Sequence, residues 1–142
     1  PTRDIASWGK GRVSLENDLK RVAEAHGRTY SPDPNLEAGF FYRADHFAFA
    51  RAGVPAITVG AGLDRIDGGV ASGKALRDAY FARCYHQPCD AWTASWDARG
   101  QAQDVALLYA LGREIADSDA WPHWLNGSEF KAVRERSETQ RK

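Results

Sequence analysis

Gly53-Val54-Pro55-Ala56-Ile57-Thr58-Val59 follows at once on Asp45-His46-Phe47-Ala48-Phe49-Ala50-Arg51-Ala52. Together the two stretches read as a short helix, a stop and a strand. Asp45 is placed to cap a two-turn helix. Gly53 is placed to end it, because glycine enters left-handed backbone without a Cβ penalty. The run from Val54 to Val59 is short, nearly unbroken in apolar residues and β-branched toward its end, as suits a strand buried on both faces. Pro55 is tolerable only near the start of such a strand, since it has no N–H to give to a ladder. A helix leading into a doubly covered strand is the grammar of an α/β domain with a mostly parallel sheet between helices.

The flanking sequence extends this pattern. Gly9 to Gly11 reads as a loop and Ser14 as a helix N-cap. Leu15, Leu19, Val22 and Ala23 fall at helical spacing, and Gly27 supplies the stop. Arg28-Thr29-Tyr30 is a candidate short strand, and Ser31 to Asn35, with two prolines in three residues, is a turn-rich loop. Gly60 to Gly73 carries five glycines and reads as a long loop. Lys74 to Arg83 suits a short helix. Ala98 to Ser118 is the strongest helix, with Val105, Leu108, Gly112 and Ile115 in one stripe widened by Leu111. Ser128 caps a last helix from Glu129 to about Arg136, and Glu135 to Lys142 is a polar tail expected to fray. Residues 1–134 thus form one unit and 135–142 the tail. This reading contains a single convincing central strand, and a parallel sheet cannot bury itself on one strand, so part of the domain is expected to lie outside the chain.

Composition excludes several classes. The 142 residues are 43% hydrophobic and 27% charged, with a mean hydropathy of -0.54. That is an ordinary globular balance, enough for one core and not comfortably for two. Nineteen basic and nineteen acidic residues cancel. The basic side chains are scattered rather than laid in a stripe, so no nucleic-acid partner is expected. No apolar run approaches the ~20 residues of a membrane-spanning helix, and no membrane partner is expected. The chain opens on Pro1 and contains no methionine, which suggests a processed or truncated start.

Cys84-Tyr85-His86-Gln87-Pro88-Cys89-Asp90 is the densest group of chemically active side chains. A structural zinc knuckle needs about four ligands. Only Cys84, His86 and Cys89 cluster here, and Pro88 stiffens the stretch, so a self-contained zinc site is not expected. The two cysteines are compatible with a small-loop disulfide in an oxidising compartment or with two free thiols. No Gly-x-Ser-x-Gly elbow and no Walker-type phosphate loop occurs. Taken alone, Asp45-His46 reads as a cap followed by a surface histidine, and His86 as a core histidine with one hydrogen bond. Trp92, Trp96, Trp121 and Trp124 are expected to pack beneath a loop-rich surface.

Three stretches in order alter that reading. Phe41-Tyr42-Arg43-Ala44-Asp45-His46-Phe47, continuing to Gly53-Val54-Pro55-Ala56, resembles a segment of the co-catalytic dizinc aminopeptidases. These form family 28 of the metallopeptidases, with glutamate carboxypeptidase and glutaminyl cyclase among their relatives. Tyr85-His86-Gln87-Pro88, with Asp90, resembles the segment carrying that family's last zinc-binding histidine. Trp121-Pro122-x-Trp124-x-x-Gly127-Ser128-Glu129-Phe130 is similar to the C-terminal end of one bacterial branch. The likeness runs from about Ser14 to Arg134.

The resemblance implies the C-terminal part of a three-layer αβα sandwich with a mostly parallel sheet, incomplete as an isolated chain. It also implies a zinc exopeptidase that cleaves N-terminal peptide bonds with a zinc-activated water. Family members bind two zinc ions through a His-x-Asp, a bridging Asp, a Glu-Glu pair and a further Asp, none of which occurs in this sequence, and through a final histidine that matches His86. By the same resemblance Tyr85 is the candidate donor to the developing oxyanion, while Asp45 and Tyr42 shape or orient the site. Asp90 is either a partner for the His86 imidazole N–H or a local cap. Ala44, Ala48 and Cys89 depart from the family's usual serine, proline and serine, and Cys89 adds a possible soft ligand. Zinc is expected to be weak or absent in this chain alone, which is expected to be inactive. The expected partners are a peptide substrate, the missing N-terminal half of the domain and, for the isolated chain, a second copy of itself. Periplasmic or secreted location is favoured by the resemblance. The alternative is a non-catalytic interaction module built from the same piece of fold.

Overall fold

The computed structural model describes residues 1–8 and 12–138. The loop expected at Gly9–Gly11 and the last four residues of the expected tail lie outside the described residues. The fold is mixed α/β, as expected, around a small sheet of three strands in the order β2-β1-β3.

The central strand is β1 (Asp4–Trp8), which the sequence pattern did not reveal. It pairs in parallel with β2 (Thr29–Ser31) and antiparallel with β3 (Thr58–Ala61). The expectation of a single convincing strand is therefore corrected to three. The strand anticipated over 54–59 forms only from Thr58 onward, because Pro55 and its neighbours run as irregular chain. β1 escaped notice because Asp4 and Ser7 interrupt its apolar residues, although both are buried. Their polarity is satisfied within the fold. Ser31 Oγ donates to Asp4 Oδ2 at 2.6 Å and the Asp64 N–H to Asp4 Oδ1 at 2.9 Å, while Ser7 Oγ meets Tyr30 Oη at 2.8 Å.

The helices follow the sequence more closely. Helix α1 (Leu15–Ala25) follows Ser14, and the chain turns at Gly27 with φ of 69°. Ser14 occupies the cap position without a side-chain capping bond. Its hydroxyl instead accepts the His123 N–H at 3.0 Å and so ties the C-terminal segment to this turn. α1 and α4 (Arg99–Ala116) cover one face of the sheet, where Leu19, Val22, Ala23, Leu107 and Leu111 enclose Ile5. The α4 stripe is rotated from the expected one. Leu107 and Leu111 are buried, whereas Val105 is 65% exposed. Asp104, half-buried next to the exposed Val105, pairs with the buried Arg28 at 2.7 Å.

Helix α3 (Gly69–Arg83) begins five residues before the expected Lys74. The glycine-rich stretch read as loop is partly helical because the helix crosses very close to the backbone of Leu63. A Cβ on Gly73 would lie 2.0 Å from the Leu63 carbonyl oxygen. α3 buries only Gly73 among its own residues. Among the described residues no helix is long and apolar enough to cross a membrane.

A second core joins the middle and the end of the chain. Val13, Leu15, Phe41, Ala50, Trp124 and Phe130 pack together there, with α2 (His46–Arg51) and α5 (Lys131–Arg136) at its margins. Gly53, at φ of 83°, makes the turn after α2. A Cβ there would approach the Arg134 backbone nitrogen to 2.8 Å. The final helix starts at Lys131 rather than Glu129. Only Trp124 of the four clustered tryptophans packs as expected. Trp92, Trp96 and Trp121 are at least half exposed.

Candidate active site

The segment from Gly39 to Gly53 supplies the first group of candidate residues. A left-handed turn at Gly39 leads into a 3-10 turn, Phe40–Arg43, which sends adjacent rings in different directions. Phe41 is buried against Phe130 and Trp124's cluster. Tyr42 turns toward the C-terminal segment, where its hydroxyl donates to Glu129 Oε1 at 3.0 Å. The Arg12 guanidinium lies over the rings of both Phe41 and Tyr42 at 5.1 Å and pairs with Glu129. Burial, and then the bond to Glu129, hold the Tyr42 phenol above its ordinary pKa. Tyr42 thus works as a tether between the 3-10 turn and the C-terminal segment. The Arg12–Tyr42–Glu129 group was not read from the sequence, since its members are spread across the whole chain.

Asp45 occupies the N-cap position of α2, but its side chain makes no capping bond and is exposed. His46, read in isolation as a surface histidine, is half-buried. Its Nδ1 lies 2.5 Å from Thr58 Oγ1 on β3, and its ring meets Phe41 edge-on at 4.7 Å. Burial lowers its pKa, against the opposing pull of the Asp45 carboxylate. His46 is therefore committed to the packing between α2 and β3.

The second group lies at the C-terminal end of α3. Cys84 ends that helix and forms a disulfide with Cys89, with Cα atoms 5.2 Å apart. The pairing that the sequence left open is thus a bridge, and the cysteines are not free to ligate a metal as thiolates. Tyr85 and His86 lie inside the bridged loop, and both are exposed. Their rings stack at 3.9 Å and 20°. Tyr85 rests in turn on Phe81, with centroids 4.5 Å apart. Neither ring nitrogen of His86 makes a hydrogen bond to a described residue. Asp90 does not reach His86. Its Oδ2 accepts the Tyr80 hydroxyl at 2.7 Å, and that bond pushes the Tyr80 phenol up. Asp90 therefore braces the loop against the last turns of α3.

The two groups meet through one aromatic contact, Phe40 against Phe81 at 5.8 Å. A run of rings, Phe40–Phe81–Tyr85–His86, joins the Tyr42–Asp45 segment to the bridged loop. Phe40 and Phe81 were not singled out in the sequence. A period-four aromatic pair, Phe81 and Tyr85, was the available signal.

A scan against family models matches residues 1–110 to Peptidase family M28. The chain belongs to that family. The match includes Tyr42, Asp45, Tyr85, His86 and Asp90, while the tethering Glu129 lies beyond it. No curated protein and no solved structure matches the chain. Membership of the M28 family supports a peptidase-type hydrolytic activity, in a family that is generally zinc-dependent.

The donor set limits what this chain can do toward a metal. Among the described residues no group of three or more His, Cys, Asp or Glu side chains could hold a metal ion. A catalytic zinc needs about three protein ligands. These residues do not form a zinc site by themselves. His86 is exposed and makes no hydrogen bond to a described residue.

Proposed function

We propose that this chain is the C-terminal portion of a zinc-dependent aminopeptidase catalytic domain and is inactive on its own. The observation that carries this reading is the exposed, uncommitted imidazole of His86, stacked on Tyr85, in an M28 chain whose described residues offer no complete donor group. His86 would supply one ligand, and polypeptide outside this chain the remainder. Bound zinc would supply an activated water and a Lewis acid for the scissile carbonyl. Tyr85 would direct its hydroxyl at the oxyanion that develops on that carbonyl. The bridged loop holds the Tyr85 ring against Phe81, which fixes its direction. Asp45, on the exposed end of α2, would help orient the substrate. Tyr42, through Glu129, would steady the turn that carries Phe40. The general base belongs to the portion not present.

The packing supports the same division. Leu76, Phe81, Val105 and Tyr109 are all more than a third exposed, and among the described residues β2 and β3 each pair on one side only, as edge strands do. In the whole domain the N-terminal half would cover these surfaces. In the isolated chain a second copy would do so. The disulfide supports export to an oxidising compartment such as the periplasm.

The test is hydrolysis of an aminoacyl nitroanilide in the presence of zinc. The polypeptide encoded by the complete reading frame is expected to turn the substrate over, and the 142-residue chain is not. Turnover by the chain alone, or none by the complete polypeptide, would overturn the reading. The second outcome would favour an interaction module.

A further inference from the structure

The loop from Cys84 to Cys89 carries strain at the residue on which the proposed activity depends. His86 has φ of 58° and is the one non-glycine with positive φ among the described residues. A residue with a Cβ adopts left-handed backbone at a cost, and it stays there only where its surroundings impose it. Little surrounds His86. Its side chain is exposed and its ring contact is with Tyr85, its own neighbour in sequence. The loop that carries it is held by backbone hydrogen bonds, the Tyr85 N–H to the Tyr80 carbonyl at 3.1 Å and the Asp90 N–H to the Gln87 carbonyl at 2.9 Å, and by one covalent closure. The disulfide closes the chain on itself five residues apart, assisted by the Gln87 N–H donating to the Cys84 carbonyl at 2.9 Å. Pro88, fixed in φ, removes further freedom inside the ring. The bridge is also within reach of solvent, with Cys89 exposed and Cys84 half-buried.

We propose that the Cys84–Cys89 disulfide is a thiol-exchange site that sets the position of the His86 imidazole. An external dithiol attacks the exposed Cys89 sulfur as a thiolate. A mixed disulfide forms and the S–S bond breaks, releasing Cys84 as a thiolate that takes up a proton. The second thiol of the reductant then attacks its own sulfur in the mixed disulfide and releases Cys89, which is protonated in turn. Two electrons pass from the dithiol to the protein, and the reductant leaves as its own disulfide. With the ring open, His86 relaxes to ordinary negative φ and its imidazole leaves the face of Tyr85. The consequence for catalysis rests on the reading of His86 as a zinc ligand. The conformational change does not.

The experiment is proton NMR of the His86 ring in the complete polypeptide, assigned by a His86→Gln variant and recorded before and after dithiothreitol, without zinc. Stacking on Tyr85 shifts the His86 ring protons upfield. Reduction is expected to abolish that shift, and reoxidation to restore it, while the indole N–H resonance of the buried Trp124 stays in place. A Cys84→Ser/Cys89→Ser variant is expected to show the reduced spectrum in either buffer. Two results would overturn the proposal. One is an unmoved His86 signal after mass spectrometry shows both cysteines alkylated. The other is two free thiols in the untreated protein. A protein that shows the shift but neither binds zinc nor cleaves peptides would keep this inference and lose the peptidase reading.

Discussion

Trp124→Ala is expected to lower the unfolding free energy by about 3–5 kcal/mol, the range for truncating a large buried aromatic. Trp124 is 2% exposed at the centre of the second core. Its ring packs on Phe130 at 4.9 Å, and its Nε1 donates to the Gly53 carbonyl at 2.9 Å. Its backbone forms an isolated bridge with Val13, flanked by the Leu125 N–H donating to the Arg12 carbonyl at 2.8 Å. Its side chain therefore joins the turn after α2 to the C-terminal segment, and its backbone ties in the chain before α1. Trp124→Phe separates the two contributions. It keeps much of the ring packing but leaves the Gly53 carbonyl unpaired, and is expected to cost about 1–3 kcal/mol. Urea unfolding at constant slope measures both. A loss below 1 kcal/mol for the alanine variant would show that this core is not a structural centre.

Arg28→Met is expected to cost about 3 kcal/mol, the low end of the range for breaking a buried ion pair. The Arg28 side chain is 2% exposed and donates through Nη1 to Asp104 Oδ1 at 2.7 Å. Through Nη2 it donates to Thr2 Oγ1 at 2.7 Å and to the Asp4 carbonyl at 2.5 Å. Methionine fills similar volume but removes the donor to Asp104 and to Thr2 Oγ1, while the Asp4 carbonyl keeps the Thr2 hydroxyl at 2.6 Å and the Gly62 N–H at 3.2 Å. Asp104 keeps 21% of its side-chain surface, so water reaches it and the loss stays at the low end. A second change, Asp104→Leu, is expected to recover part of the loss in a double-mutant cycle. Additive losses would show that the two side chains do not act as a pair.

The helices were legible in the sequence because their signals are local. Leu15, Leu19, Val22 and Ala23 mark α1 by spacing, and Gly27 and Gly53 mark turns that need left-handed backbone. β1 was hidden because Asp4 and Ser7 are buried by polar partners that only the folded chain brings near. The α4 stripe was misplaced because Leu107 and Leu111 pack on Ile5, Leu19, Val22 and Ala23, partners far away in sequence. The start of α3 was obscured because Gly68 and Gly69 turn the chain into the helix with positive φ, while Gly73 serves close approach to Leu63. Of the candidate site, Tyr85, His86 and Asp45 were singled out through the family likeness, and their roles belong to the proposal. The partners actually taken by Tyr42 and Asp90 were not, because each depends on side-chain direction. The disulfide was one of two open possibilities, and sequence spacing alone could not choose between them.

The zinc content of the complete polypeptide, measured in wild type and in His86→Ala, addresses the role of His86 most directly. Wild type is expected to carry two zinc ions per chain. The variant is expected to keep the wild-type circular dichroism spectrum, to lose one zinc, and to fall in turnover by about 100-fold or more, since even partners of metal ligands are worth 10–100-fold. Equal zinc content in the two proteins, with turnover unchanged, would show that His86 is no ligand.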